Sequence, residues 1–416
     1  MWHRGPFFIF ARRLNWEVFM ETKTSIFSNG IIWFGVAISV SEIEAGIEIG
    51  RAATTDTLWT PLLLGHFLGG ILLFLVGLIG ARVRLNAMET TKSSFGKYGS
   101  KFFAALNTFQ LLAWVAVLNA QGASALAGLN LPISFALTCF ILAAFIAVWV
   151  YVGLRRSAHV TTAVMVALTA LLAILSAKLF GLNDSHATLL SPKALHFWNI
   201  FEISIAMPIS WLPVISDYTK DAEKPVKSTA VSAIAYTFAS LWMYIIGIEI
   251  AGIANAQSIA QAILLAGLGI PGILIVVLST ITTNFLAANS AGESAKAIFH
   301  KINPKIAGIA VSFLSALLAI SGIMDHYISF LYLIASVFAP MAAVLLVSFY
   351  FSKEQKGSIG IWVWNIVSWL AGFIAYQFAE REDSIFLGPT LLAIIVSAAL
   401  ASVRVLSERK LGQRIQ

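Results

Sequence analysis

The chain has 416 residues, of which 59% are hydrophobic and 11% charged, with a mean hydropathy of +0.85. Soluble domains carry about 25% charged residues, so that class is excluded. The net charge of +7 comes from basic residues scattered over short segments, with no compact patch to hold nucleic acid; what remains is an all-α polytopic protein with the lipid bilayer as its partner.

Residues 1–25 form a tail with arginines and aromatics but no small-residue cleavage site, so no removed signal peptide is expected, and Met20 is a second candidate start. The first apolar span, 26–50, carries GVAISVSEIEAGIEIG at 35–50. Ser39-x-x-Glu42 and Ser41-x-x-Glu44 both match the capping-box pattern, so a new helix is expected to start at membrane depth. Irregular backbone there is tolerated only where it is buried in protein or lines a watered cavity, as in the midplane sites of secondary transporters. Ser39 and Glu42 are therefore candidate site residues. The alternative is a shielded kink whose glutamates only satisfy local amides.

Further spans are expected at roughly 58–81, 102–127, 131–153, 159–181, 196–217, 230–254, 270–293, 306–323, 327–350, 359–378 and 385–403, twelve in all. The basic residues test this topology independently. With both termini cytoplasmic, fifteen of the 27 lysines and arginines fall in inner loops and eight in the two tails, leaving only Arg51, Lys178, Lys193 and Arg381 outside, as the positive-inside rule requires of a plasma (inner) membrane protein. The single cysteine, Cys139, allows no intrachain disulfide.

In the third span a helical wheel puts Asn107, Gln110, Trp114 and Gln121 on one face and Asn119 on the opposite one. Amides and an indole suit a flat polar heterocycle; amides also serve as interhelical glue. In the sixth span, Pro208 and Pro213 interrupt the helix in IAMPISWLP. Spans one and six thus begin two groups of five, and interrupted helices at corresponding places point to an inverted repeat, 26–182 and 194–351, followed by helices at 357–404 and a tail at 405–416. In the eighth span Ser279, Thr282 and Thr283 place hydroxyls on one side. They could supply oxygens to sodium as a coupling ion, or simply bond back to their own helix. Asp217 reads as a gate or loop anchor, and His66 and His300 as structural. No phosphate loop, metal spacing or nucleophile elbow is present, so neither an enzyme nor a cofactor is expected.

From about 26 to 404 the chain resembles the nucleobase-cation symporter-1 family of cytosine permeases and hydantoin transporters, most strongly in the TTN run at 282–284 with Asn289, in Trp114, and in Asp217-Tyr218. The resemblance implies twelve helices, a five-plus-five inverted repeat with two helices added, and a planar base held between spans three and six. It implies sodium-binding carbonyls at Gly35 and Ile38 completed by Ser279, Thr282 and Thr283, a stacking surface at Trp114 and a polar ligand at Ser210. Asn284 and Asn289 are the eighth-span candidates for substrate. The chain departs from the family at Leu118, where hydantoin transporters have an amide, and at Pro208, where relatives have an aromatic and this chain offers Trp211 three residues on. Asn289 is one place out of register, and Glu42 and Glu44 replace uncharged residues. SEIEAG and MPISWLPVISDYTKD are most similar to hydroxymethylpyrimidine transporters linked to thiamine salvage. A carboxyl can pair with the edge of a 4-aminopyrimidine, so Glu42 stands as substrate ligand, proton-coupling group or cap. Cytosine or another nucleobase is the alternative cargo, and a non-transporting receptor or enzyme the third reading.

Overall fold

The computed structural model describes residues 23–53, 55–128, 132–180, 195–253, 259–265, 267–352, 358–382 and 387–414; the N-terminal tail up to residue 22, Met20 and Lys193 lie outside them. Among these residues there is no strand, only one bridge pairing Thr24 with Ala222. The helices are α1 (Ile26–Ala37), α2 (Val40–Ala52), α3 (Thr55–Val83), α4 (Ala87–Thr90), α5 (Lys92–Ala127), α6 (Phe135–Val152), α7 (Leu154–Phe180), α8 (Phe197–Ser210), α9 (Ile215–Thr219), α10 (Pro225–Ala251), α11 (Ile259–Leu265), α12 (Gly269–Ile298), α13 (Pro304–Ile320), α14 (Tyr327–Phe351), α15 (Ile359–Arg381) and α16 (Pro389–Arg414).

Ten helices among the described residues are long and apolar enough to cross a membrane, and the bent pair α1–α2 makes an eleventh span. The one expected span left over, the ninth at 306–323, is α13, apolar but only 17 residues long, about 26 Å at 1.5 Å per residue against a hydrocarbon core of about 30 Å. The last helix runs on to Arg414, past the tail boundary expected at 405. The third span starts ten residues earlier than expected, at Lys92, because its N-terminal end continues across a kink at Gly96 (φ 68°, ψ −176°), where a Cβ would press on the Trp362 ring.

Burial sorts the helices into a centre and a girdle. The α8–α9 span is 94% buried along its apolar stretch and the α14 span 89%, whereas the α7 and α15 spans are each 28% buried. Exposed Phe109, Val148, Val166, Phe238 and Ile374 form an apolar outer surface, as expected of a chain solvated by lipid. The pairing is reciprocal: both halves of the first broken span, α1 and α2, lie along α10, and both halves of the second, α8 and α9, lie along α3. That exchange of partners is the one an inverted repeat of broken helices produces.

Two features fix the interior. At the crossing of α2 and α10 the backbones touch, since a Cβ on Gly247 would overlap Ile43 O and one on Gly46 would overlap Tyr244 O; with Gly50 this is the small-xxx-small pattern by which membrane helices approach closely. At the end of the bundle where α1 begins, Thr24 N–H donates to Asp221 O at 2.8 Å and Glu223 N–H donates to Thr24 O at 2.9 Å. Arg84 Nη1 closes the same corner on Lys220 O and Ala222 O, at 2.8 and 2.6 Å.

Candidate functional site

The break between α1 and α2, bent by 49°, is made by Ser39. Ile38 leaves helical geometry (φ −77°, ψ 79°), Ser39 is extended, and the Ser39 hydroxyl accepts from Glu42 N–H at 3.3 Å. Ser39 N–H bonds Ala37 O at 2.9 Å instead of Gly35 O. Gly35 O and Ile38 O are thus left without the helical partner each would have four residues on. The hydroxyls of α12 meet them: Ser279 Oγ donates to Ile38 O at 2.7 Å, and Thr283 Oγ1 to Gly35 O at 3.4 Å. Thr282 Oγ1 bonds back within its own helix, to Leu278 O at 2.8 Å and Ser279 O at 3.1 Å. Carbonyl and hydroxyl oxygens without nitrogen or sulfur are the donor set of a hard cation, and a crevice lined by Ile31, Gly35, Met165, Thr282 and Phe285 opens beside them. Among the described residues no three His, Cys, Asp or Glu side chains group as a transition-metal site.

The broken backbone of the sixth span is satisfied by the amide stripe of α5. Asn107 Nδ2 donates to Pro213 O at 3.0 Å and to Ser294 Oγ at 2.8 Å; Gln110 Nε2 donates to Ser210 O at 3.0 Å and to Asn107 Oδ1 at 2.9 Å. Since Ser210 O can only accept, the Gln110 orientation is fixed, and its Oε1 is left buried with no partner in the protein. Gln121 accepts from Ser41 Oγ and keeps an unpartnered Nε2. Trp114 is 4% exposed, edge-on to Phe330 at 5.4 Å, with its Nε1 unpartnered; Asn284 is fully buried with both amide atoms unpartnered. Asn119 faces away and donates to Cys139 O. Unpaired buried polar atoms cost about 1–3 kcal/mol each, so a concentration of them on facing helices α5 and α12 calls for a ligand.

Other expected residues take different places. The Ser210 hydroxyl donates to Met207 O at 2.6 Å within its own helix, so only its carbonyl faces the stripe. Pro208 packs on Gly69 of α3, and Trp211 stands edge-on to Trp33 at 6.0 Å. Asn289 is half-buried lower on α12, on the side of Tyr218. The capping box is half formed. Ser39 caps α2, but the Glu42 carboxyl turns to α10, where Tyr236 O–H donates to one oxygen at 3.0 Å and Ser240 Oγ lies 2.9 Å from the other. Ser41 caps nothing and serves Gln121 instead. Asp217 accepts from Ala87 N–H at 2.8 Å and anchors the segment between α3 and α4, while Glu202 is held by Thr390.

Two residues, Trp33 and Ser240, escaped the sequence reading, and His66, read there as structural, joins the network around Glu42. Trp33, fully buried, is ringed edge-on by Trp211, Tyr218 and Tyr236 at 6.0–6.1 Å. Ser240 and His66 link Glu42 to the second and sixth spans. The available signal was Tyr236, Ser240 and Tyr244 at i, i+4, i+8 on one face of α10.

Known proteins share this fold. Curated proteins give no match. Among solved structures the chain is similar to Mhp1, a nucleobase-cation-symport-1 family transporter, in a closed conformation with bromovinylhydantoin bound: 17% identity, 93% of this chain, 94% of that one, TM-score 0.74. The inward-facing conformation of Mhp1 follows at 18% identity, with 94% and 92% covered and a TM-score of 0.73. A Na+-coupled sialic acid symporter in a substrate-bound outward-open state matches at 12% identity, 92% and 90% covered, TM-score 0.69. At these identities the likeness establishes a shared transporter fold. The family model described as permease for cytosine/purines, uracil, thiamine, allantoin matches residues 20–375, most of the chain, and the protein belongs to that family of membrane permeases.

Proposed function

We propose that this permease is a cation-coupled secondary transporter that imports a 4-aminopyrimidine, hydroxymethylpyrimidine for thiamine-precursor salvage, by alternating access across the inner membrane with both termini cytoplasmic. The observation that carries the reading is the Gln110 Oε1 acceptor. It is buried, fixed in orientation, and lies one turn from Trp114. Side chains on a helix lean toward its N-terminus, so the Trp114 ring and the Gln110 oxygen address one small volume, a stacking surface beside an acceptor for an exocyclic amine. Gln121, seven residues beyond Trp114 and about 10 Å further along the helix, belongs with Ser41 to the layer of the first-span break. Asn284, with donor and acceptor both unpartnered, is the candidate for the opposite edge of the ring. The hard-oxygen cluster at Gly35, Ile38, Ser279, Thr282 and Thr283 supports sodium as a coupling ion.

Cytosine presents the same amine edge and is the competing cargo. Uptake of labelled hydroxymethylpyrimidine into proteoliposomes, with unlabelled cytosine as competitor, decides between them: stronger displacement by cytosine rejects the thiamine-precursor assignment. In the same assay Trp114→Ala is expected to lose about 1–3 kcal/mol of binding, the measured range for a base stacked on an aromatic side chain. Wild-type affinity in that variant rejects Trp114 as the platform.

A further inference from the structure

We propose that Glu42, Ser240 and His66 form a proton-binding site, in which one proton is shared between the Glu42 carboxyl and the His66 imidazole through the Ser240 hydroxyl and travels with the substrate. The site stands on its own geometry; its movement with substrate rests on the transporter reading above.

The chain of contacts is continuous and buried. Tyr236 O–H donates to one Glu42 oxygen at 3.0 Å, Ser240 Oγ lies 2.9 Å from the other, and His66 Nε2 lies 3.0 Å from Ser240 Oγ. On its far side His66 Nδ1 is 2.7 Å from Ser204 Oγ and 3.1 Å from Leu62 O, and Ser204 Oγ is 2.6 Å from Leu62 O. Glu42, Tyr236, Ser240, His66 and Ser204 are all at most 1% exposed.

Counting hydrogens along this chain gives its protonation. Leu62 O can only accept, so the single Ser204 hydrogen goes to it, and Ser204 Oγ must accept from Nδ1–H. The reverse assignment would set the Leu62 oxygen against two lone pairs. With Nδ1 protonated, a neutral imidazole presents the Nε2 lone pair to Ser240. Ser240 then has two acceptors, Nε2 and the Glu42 oxygen, and one hydrogen. An additional proton resolves the conflict in either of two ways: on Glu42, which donates to Ser240 while Ser240 donates to Nε2, or on Nε2, which donates to Ser240 while Ser240 donates to the Glu42 carboxylate. The two arrangements hold the same number of protons. They interconvert when the Glu42 proton passes to Ser240 Oγ as the Ser240 hydrogen passes to His66 Nε2.

The other titratable groups around Glu42 are engaged elsewhere. On α10, Tyr244 packs edge-on against His66 at 4.6 Å and donates its O–H to Ile203 O; on α14, Tyr327 donates to Ser41 O. On α8, Glu202 is held by Thr390, and on α9, Asp217 by Ala87. On α2 itself, Glu44, Glu48 and Arg51 follow Glu42 toward the outer end, whereas α11 and the facing stretches 107–127 of α5 and 269–284 of α12 carry no ionisable side chain.

The network crosses the seam between two helix pairs. Glu42 and Ser240 belong to α2 and α10, locked together at Gly46 and Gly247, and His66 and Ser204 belong to α3 and α8. Removing the proton puts acceptor against acceptor at that seam and favours its separation, so proton occupancy and helix arrangement bias one another. Each broken span contributes one helix to the seam.

Two measurements on the full chain test this. In lipid nanodiscs without substrate, an acid–base difference titration of wild type against Glu42→Gln should show one extra bound proton per chain in the wild type at neutral pH; zero overturns the site. In proteoliposomes with equal sodium on both sides, an acid-outside gradient should drive accumulation of labelled hydroxymethylpyrimidine, up to about tenfold per pH unit at one proton per substrate. Ser240→Ala, which cuts the bridge but keeps acid and base, should abolish the gradient response. Gradient-driven accumulation surviving in Ser240→Ala, or wild-type uptake indifferent to the gradient, overturns the coupling. If wild type does not move hydroxymethylpyrimidine at all, the substrate assignment fails, and the titration still decides the site.

Discussion

Gly247→Leu is expected to yield no stably folded protein. The position sits where α10 meets the backbone of α2, and even a single added carbon would overlap Ile43 O. Overpacking an interior typically costs about 1–3 kcal/mol because neighbouring side chains shift. Here the obstacle is main chain on one side and Gly46 on the other, so the helices must part, and parting them withdraws Glu42 from Tyr236 and Ser240. A loss above about 3 kcal/mol is therefore expected, comparable with much of the stability of a typical domain. Gly360→Ala is the control, since a Cβ there meets nothing closer than Ser358 Oγ at 3.9 Å. Melting temperature and monodispersity in detergent read the difference; a Gly247→Leu protein as stable as the control would show that the α2–α10 crossing can relax.

Thr282→Val combined with Thr283→Val is expected to abolish the effect of sodium on substrate affinity while leaving the helix intact. Thr283 reaches Gly35 O across the gap between α12 and α1, and valine keeps its branching but removes the oxygen. Thr282 loses only hydrogen bonds to its own helix, a net cost of about 1 kcal/mol. Coupling energies between two ligands are commonly about 1–3 kcal/mol, or 5–150-fold in affinity, and because linkage is reciprocal the same variant should lose the effect of substrate on sodium binding. Titrating substrate at two sodium concentrations measures it. A double variant that keeps the full sodium effect rejects the cluster. A wild type that ignores sodium but answers to pH would leave these oxygens structural and the Glu42–His66 pair as the coupling element.

The break in the first span was readable because Ser39 is a local capping signal, and helix starts are written within a few residues. The amide face of the third span was readable for a similar reason, helical periodicity within one element. What the residues could not disclose is which distant partner each polar group takes. Glu42 carries the same letters whether its carboxyl turns back to its own cap or across to Tyr236, 194 positions later. His66 looked isolated because Ser204 and Ser240, its partners, are 138 and 174 residues away. The kink at Gly96 was likewise hidden, since glycine permits a left-handed turn without requiring one.

The corner where Thr24 and residues 221–223 exchange two main-chain hydrogen bonds makes the face of the bundle at which α1 begins its own reporter. Helix α1 begins two residues after Thr24, so it cannot swing away from the bundle without breaking both bonds. The amide hydrogens of Thr24 and Glu223 are then held in hydrogen bonds only while that corner is closed. In deuterated buffer their exchange rate would measure the fraction of time the protein spends open on that side, with no label attached and no substrate required.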